Sequence, residues 1–193
     1  MRTTSPRLTA RERILNTACE LFYTHGIRAV GVDRVIAESG AAKSTLYVHF
    51  PAKDDLIAAY LRRWDDKWRG QLRAAALQAG DTPRVQLIGV FDALNPSLEE
   101  QWYRGCPFIN AAAEFEPGTV PHAVAREHKQ AVRAWIRELA HAAGADDPDG
   151  LARQLTLVID GALANERVER SCAVAAGARE VARLLIERSC PPD

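Results

Sequence analysis

Long hydrophobic runs are missing from this chain. No apolar stretch approaches the roughly 20 residues that a membrane-crossing helix needs. A basic, apolar leader of the secretory kind is missing from its start as well. Both absences lead us to expect a cytoplasmic protein with no membrane partner. Cysteine is scarce: Cys19, Cys106, Cys172 and Cys190 form no C-x-x-C pair and have no matching histidine spacing. That argues against a disulfide framework or a zinc site. His122 and His128 do not share a helical face and read as surface residues rather than metal ligands. Nucleophile elbow, glycine-rich phosphate loop and metal cluster are all absent, so no cofactor is expected and an enzyme is disfavoured.

Net charge is zero, which taken alone argues against a nucleic-acid protein. Its distribution says otherwise. Residues 1–70 carry twelve Lys/Arg against eight Asp/Glu, while residues 71–193 carry thirteen against seventeen. The whole basic excess already lies within 1–53. A basic front end on an acidic body is the footprint of a chain that meets phosphate in one region only. With 47% hydrophobic and 26% charged residues in 193, the chain has material for one large domain or two small ones. Disorder is expected only at the ends, 1–8 and 189–193.

Val, Ile and Thr never alternate for long, and Ala, Leu, Arg and Glu recur with helical periodicity, so the expected class is all-α with about nine helices. Thr9 and Glu12 have capping-box spacing and open a first helix over about 9–24, stopped by Gly26. A second short helix carries Val32, Val35 and Ile36 and ends at Ser39-Gly40. A third runs from about Lys43 to His49 and stops before Pro51. The stretch from Lys53 to about Gln78 reads as a long fourth helix with Leu56, Tyr60, Trp64, Trp68 and Leu72 on one stripe. Further helices are expected over about 83–94, 108–115, 121–143, 149–169 and 173–188.

Ile36, Gly40 and Leu46 have the separations of a helix-turn-helix: an apolar anchor, a turn glycine, a second anchor. Projecting the third helix at about 100° per residue puts Ala42 and Phe50 about 40° either side of Leu46, as a buried stripe. Ser44 and Val48 then face about 160° away, with Thr45 and Tyr47 flanking. An inner apolar stripe behind an outer face of Lys43, Ser44, Thr45 and Tyr47 suits the major groove of DNA. Periodicity alone fits a plain three-helix cap with a polar outer face equally well.

The run Gly40-Ala-Ala-Lys-Ser-Thr-Leu-Tyr-Val-His-Phe50-Pro-Ala-Lys-Asp-Asp-Leu56 resembles the signature of the TetR family, bacterial helix-turn-helix regulators. So does its lead-in, Ala18 to Gly26 and Gly31 to Ser39, and the likeness is continuous over about 9–60. It implies a DNA-binding domain over 8–53, with the helix-turn-helix at about 31–50. A ligand-binding and dimerisation domain would follow over 54–193. By position, Lys43, Ser44, Thr45 and Tyr47 match the family's operator contacts, and His49 and Lys53 its phosphate contacts. Gly31 and Ala42 stand where capping Ser or Thr is usual, each weakening a cap by about 0.5–2 kcal/mol. Val48 replaces a polar or aromatic side chain and suits a thymine methyl.

The segment Arg104 to Phe115 resembles a cavity-lining helix of one TetR subgroup. Phe108, Ala111, Ala112 and Phe115 share one face; Asn110 and Glu114 share another. Trp64, Trp68, Phe91, Trp102 and Phe108 are the candidate walls of an effector pocket, with Asn110 and Glu114 as its polar fixtures. Plain core aromatics and a wet helix face account for the same pattern. Cys106 has no nearby cation that would make it a sensor thiol. The stripes Leu155, Val158, Ile159, Ala162 and Ala178, Val181, Leu185 are compatible with the family's four-helix homodimer interface or with the subunit's own core. The resemblance therefore implies a homodimeric repressor released from a palindromic operator by a small-molecule effector. A constitutive DNA-binding or scaffolding protein without effector is the alternative.

Overall fold

The computed structural model describes residues 8–94 and 103–190. Nine α-helices and one 3-10 turn make up its regular structure, and no strand occurs among the described residues. The first three helices are α1 (Ala10–His25), α2 (Val32–Ser39) and α3 (Lys43–His49). Thr9 and Glu12 form the capping box reciprocally: the Thr9 Oγ1 accepts from the Glu12 N–H at 3.2 Å, and the Glu12 carboxylate accepts from the Thr9 N–H at 2.8 Å. Gly26 closes α1 at φ 91°, in the region that a Cβ would strain.

The long helix α4 (Lys53–Ala79) spans about 40 Å at 1.5 Å per residue and runs from the three N-terminal helices across to the later ones. Its N-terminal half packs against α1. Farther along it meets α5 (Pro83–Gly89), the 3-10 turn Val90–Leu94 and α7 (Val120–Ala142). The short α6 (Pro107–Glu114) lies on α7, and α8 (Pro148–Glu169) packs between α7 and α9 (Cys172–Ser189). One continuous apolar core joins the two halves, from Ile14, Val35 and Leu46 through Leu56, Leu61 and Leu72 to Leu155 and Ile186.

Gly89 was not singled out by pattern, yet it fixes how closely α5 can approach α4. A Cβ there would lie 2.3 Å from the Ala79 Cβ and 3.0 Å from the Ala75 carbonyl. Gly89→Ala is expected to push the helices apart and cost about 1–3 kcal/mol. A urea titration would read this as a lowered midpoint at unchanged slope; an unchanged midpoint would mean the contact is slack.

Candidate nucleic-acid interface and effector cavity

Leu46 is fully buried and Phe50 nearly so, and both join the core. These two side chains hold α3 from behind against α1 and α2. The opposite face is bare: Lys43, Ser44, Tyr47, Val48 and His49 are exposed, with Val48 at 77%, and Thr45 is half-buried. Ala42 departs from the projection. It is the N-cap, at φ −69° and ψ 147°, so helical angles do not apply to it; it is exposed, and Ala41 fills the core instead. The turn itself is tied by Ser39, whose Oγ donates to the Ile36 carbonyl at 3.3 Å and accepts from the Ala41 N–H at 3.4 Å. Gly40 occupies the left-handed region there at φ 64°.

Lys43 reaches Asp33 at 3.4 Å, but both side chains are exposed and the pair adds little to stability. Lys53 behaves differently. Its Nζ donates 2.9 Å to the Ile27 carbonyl and lies 5.9 Å from the Phe22 ring centroid, turned into the molecule.

A cavity of about 80 Å³ opens beneath α4, between α1 and the start of α6. Trp64, Trp68 and Phe108 line it, as expected, and Tyr23 from α1 and Tyr103 complete an aromatic wall. Lys67 and Gln71 of α4 supply polar groups, and the Lys67 ammonium rests 4.8 Å over the Trp64 ring. The tilted Tyr23 and Trp64 rings, 4.8 Å apart, also border an outer groove of about 580 Å³ between α1 and α4. Phe91 is not a wall: the 3-10 turn directs it into the core, where it is 1% exposed. Trp102 falls outside the described residues. Asn110 and Glu114 do not line this cavity either. Asn110 is exposed and donates to the Arg104 carbonyl at 2.9 Å. Glu114 accepts from the Ile27 and Arg28 amides at 3.2 and 2.6 Å. Ala112, on the same short helix, is exposed.

A family model described as bacterial regulatory proteins of the tetR family matches residues 14–60. The HTH-type transcriptional regulator YjdC of Escherichia coli K12 is 30% identical over 165 residues, covering 83% of this chain and 85% of that protein. The chain belongs to the TetR family of transcriptional regulators. A TetR-family regulator from Streptomyces coelicolor superimposes with a TM-score of 0.85 at 32% identity, over 93% of this chain and 95% of that one. A second, described as a putative tetR regulator from Streptomyces avermitilis, gives 0.77 at 28% identity over 91% and 98%. The relatives are helix-turn-helix regulators rather than enzymes, and among the described residues no helix is long and apolar enough to cross a membrane.

In this TetR-family chain the stripe read from periodicity on α8 and α9 divides between core and surface, and of its residues Val181 is exposed. Leu155, Ile159, Ala162 and Ala178 are buried in the subunit's own core, while Val158 and Leu185 are half-buried. The exposed apolar side chains are Leu157, Val168, Val181 and Leu184, at 70, 81, 46 and 54%. Gly161 and Gly177 lie among them with open space where a Cβ would stand. Both helices are apolar on two sides, and periodicity could not tell which side faced inward.

His128 was expected at the surface but is 4% exposed. Its ring stacks on Phe108 at 3.5 Å and 5°, and its Nδ1 meets Asp65 Oδ1 of α4 at 2.6 Å. The imidazole thus backs the cavity wall and ties α7 to α4. Burial holds its pKa below the ordinary 6.5, against the opposing pull of Asp65. Glu166 is also buried, with one carboxyl oxygen lacking a hydrogen-bond partner among the described residues, and burial raises its pKa. Cys19 is pushed up to about 11 by burial, which leaves its thiol unreactive at neutral pH.

Below about pH 6.5 the unfolded chain takes a proton at His128 that the folded one resists. The His128 contribution to stability is therefore present above that pH and lost as pH falls. Wild-type melting temperature should drop more steeply between pH 7 and 5.5 than that of His128→Gln. Parallel profiles would contradict the assignment.

Proposed function

We propose that this regulator is a homodimeric repressor that a small-molecule effector releases from a palindromic operator. The observation that carries the DNA half is the bare outer face of α3 behind its two buried anchors. Lys43, Ser44, Thr45 and Tyr47 are the groove contacts, Val48 a thymine-methyl contact and His49 a backbone contact. Two such helices related by a two-fold axis would read half-sites about one helical turn apart or a multiple of it.

The second copy covers the exposed face of α8 and α9. Leu157, Val168, Val181 and Leu184 give it apolar area, and Gly161 and Gly177 let backbones approach. A mid-helix glycine costs about 1 kcal/mol against alanine, and nothing inside the subunit requires either one.

The effector enters the aromatic cavity. At about 80 Å³ the cavity is far smaller than the roughly 300–1,000 Å³ of ordinary ligand sites, so occupancy must part α4 from α6. Because α4 carries the DNA-binding domain, a conformer with parted walls presents the two α3 helices at another spacing. A ten- to hundredfold loss of operator affinity needs only about 1.4–2.7 kcal/mol of coupling. A thermal-shift screen followed by operator release for each hit would identify the effector class.

Tyr47→Ala and Lys43→Ala should each weaken operator binding about five- to hundredfold, by about 1–3 kcal/mol, in a gel-shift titration, with sedimentation showing an intact dimer. Unchanged affinity in both would overturn the DNA half. Val168→Glu should give monomers in sedimentation without altering the helical spectrum; a persistent dimer would move the interface elsewhere.

A further inference from the structure

Two charged side chains sit at the unfavourable ends of their helices. Lys53 is the first residue of α4, where the helix dipole is positive, and Glu114 is the last of α6, where it is negative. They meet on one peptide unit in the loop that follows α1. The Arg28 N–H donates to Glu114 Oε2 at 2.6 Å, and the Ile27 carbonyl of that same peptide accepts from Lys53 Nζ at 2.9 Å. The preceding N–H, of Ile27, donates to the other carboxylate oxygen at 3.2 Å. A carboxylate at one end of an amide and an ammonium at the other polarise it in the same sense, so each bond strengthens its neighbour. Arg28 closes the arrangement, with its guanidinium 5.5 Å from the Phe115 ring centroid.

This explains why a lysine matched by position to phosphate contacts is turned inward. Lys53 stands just beyond the end of α3, next to the DNA-facing surface, yet its ammonium is stored on a loop carbonyl. Burial disfavours its charge and Glu114 supports it, so the carboxylate helps to keep it there. We propose that Glu114 acts as a clamp that withholds Lys53 from DNA: with the clamp closed the ammonium stays on Ile27, and with the clamp open it becomes a phosphate contact. This rests on the DNA-binding reading above and adds a positioning residue to it. Glu114 never touches DNA. It acts through Lys53, and it sits at the far end of the eight-residue helix whose first residues, Pro107 and Phe108, wall the cavity. A shift of that one short rod would move both sites together.

The test is the salt dependence of binding to a random-sequence 30-base-pair duplex, which counts phosphate contacts without needing the operator. Each added phosphate contact steepens the log–log slope by about 0.9, so Glu114→Gln should steepen it by about 1.8 per dimer. The double variant Glu114→Gln/Lys53→Gln should lose that increment. An unchanged slope in Glu114→Gln, or an increment that survives loss of Lys53, overturns the proposal. Acetylation of Lys53 by acetic anhydride, followed by peptide mass spectrometry without DNA, reads the same clamp independently. It should be several-fold faster in Glu114→Gln, and in Glu114→Asp should the first variant fold poorly; equal rates overturn the clamp. Wild-type protein that fails to bind any duplex would sink the DNA reading instead, and the labelling experiment would still decide the clamp.

Discussion

A helix of seven residues cannot hold itself in water, because the cost of nucleating the first turn is never recovered over so short a length. The α3 segment exists as a helix only because Leu46 and Phe50 are buried behind it. That constraint fixes everything on its other side. With two anchors about one turn apart, the helix has one rotation about its axis. Lys43, Ser44, Tyr47 and Val48 are then presented outward whether or not DNA is there. The Ser39 and Gly40 turn sets the angle between α2 and α3, and so leaves the exposed face unobstructed.

The α1–α3 segment is not a loose appendage. It is joined to the later helices by the continuous α4 and by polar bonds from α1 and the loop after it. Tyr23 Oη donates to the Gly105 carbonyl at 3.3 Å and accepts from the Arg104 N–H at 3.1 Å, while Glu114 takes the two loop amides. These bonds cluster around α6, so the cavity and the loop between α1 and α2 share one short helix. A molecule that binds better to a form with α6 displaced would shift the population toward that form, by no more than its differential affinity allows.

Much of this was legible in the sequence, and the reasons are local. Capping chemistry at Thr9 and Glu12, the positive-φ glycine stops at Gly26 and Gly40 and the proline after Phe50 are written within three or four residues, so element boundaries emerged closely. The inner and outer faces of α3 followed from periodicity, except at Ala42, which lies outside the helix to which periodicity applies. What stayed hidden was set by tertiary choice. Both α8 and α9 carry two apolar faces, and only packing against α7 decides that Leu155 and Ile159 go inward while Leu157 and Val168 stay out. Phe91 and Trp64 are equivalent as aromatic residues in a helical pattern, but the 3-10 turn sends one to the core and leaves the other on the cavity. Glu114 and His128 were read into the wrong surroundings, pocket and surface, since their partners Ile27, Arg28 and Asp65 lie more than sixty positions away.

The solvent face of α3 is the surface proposed to meet DNA. Amide hydrogen exchange measured with and without an operator duplex tests it most directly. Slowed exchange is expected over Lys43–His49 and the adjoining turn, with the outer residues of α8 and α9 unchanged by DNA. Protection confined to any other surface, with α3 exchanging at its free rate in the complex, would contradict it.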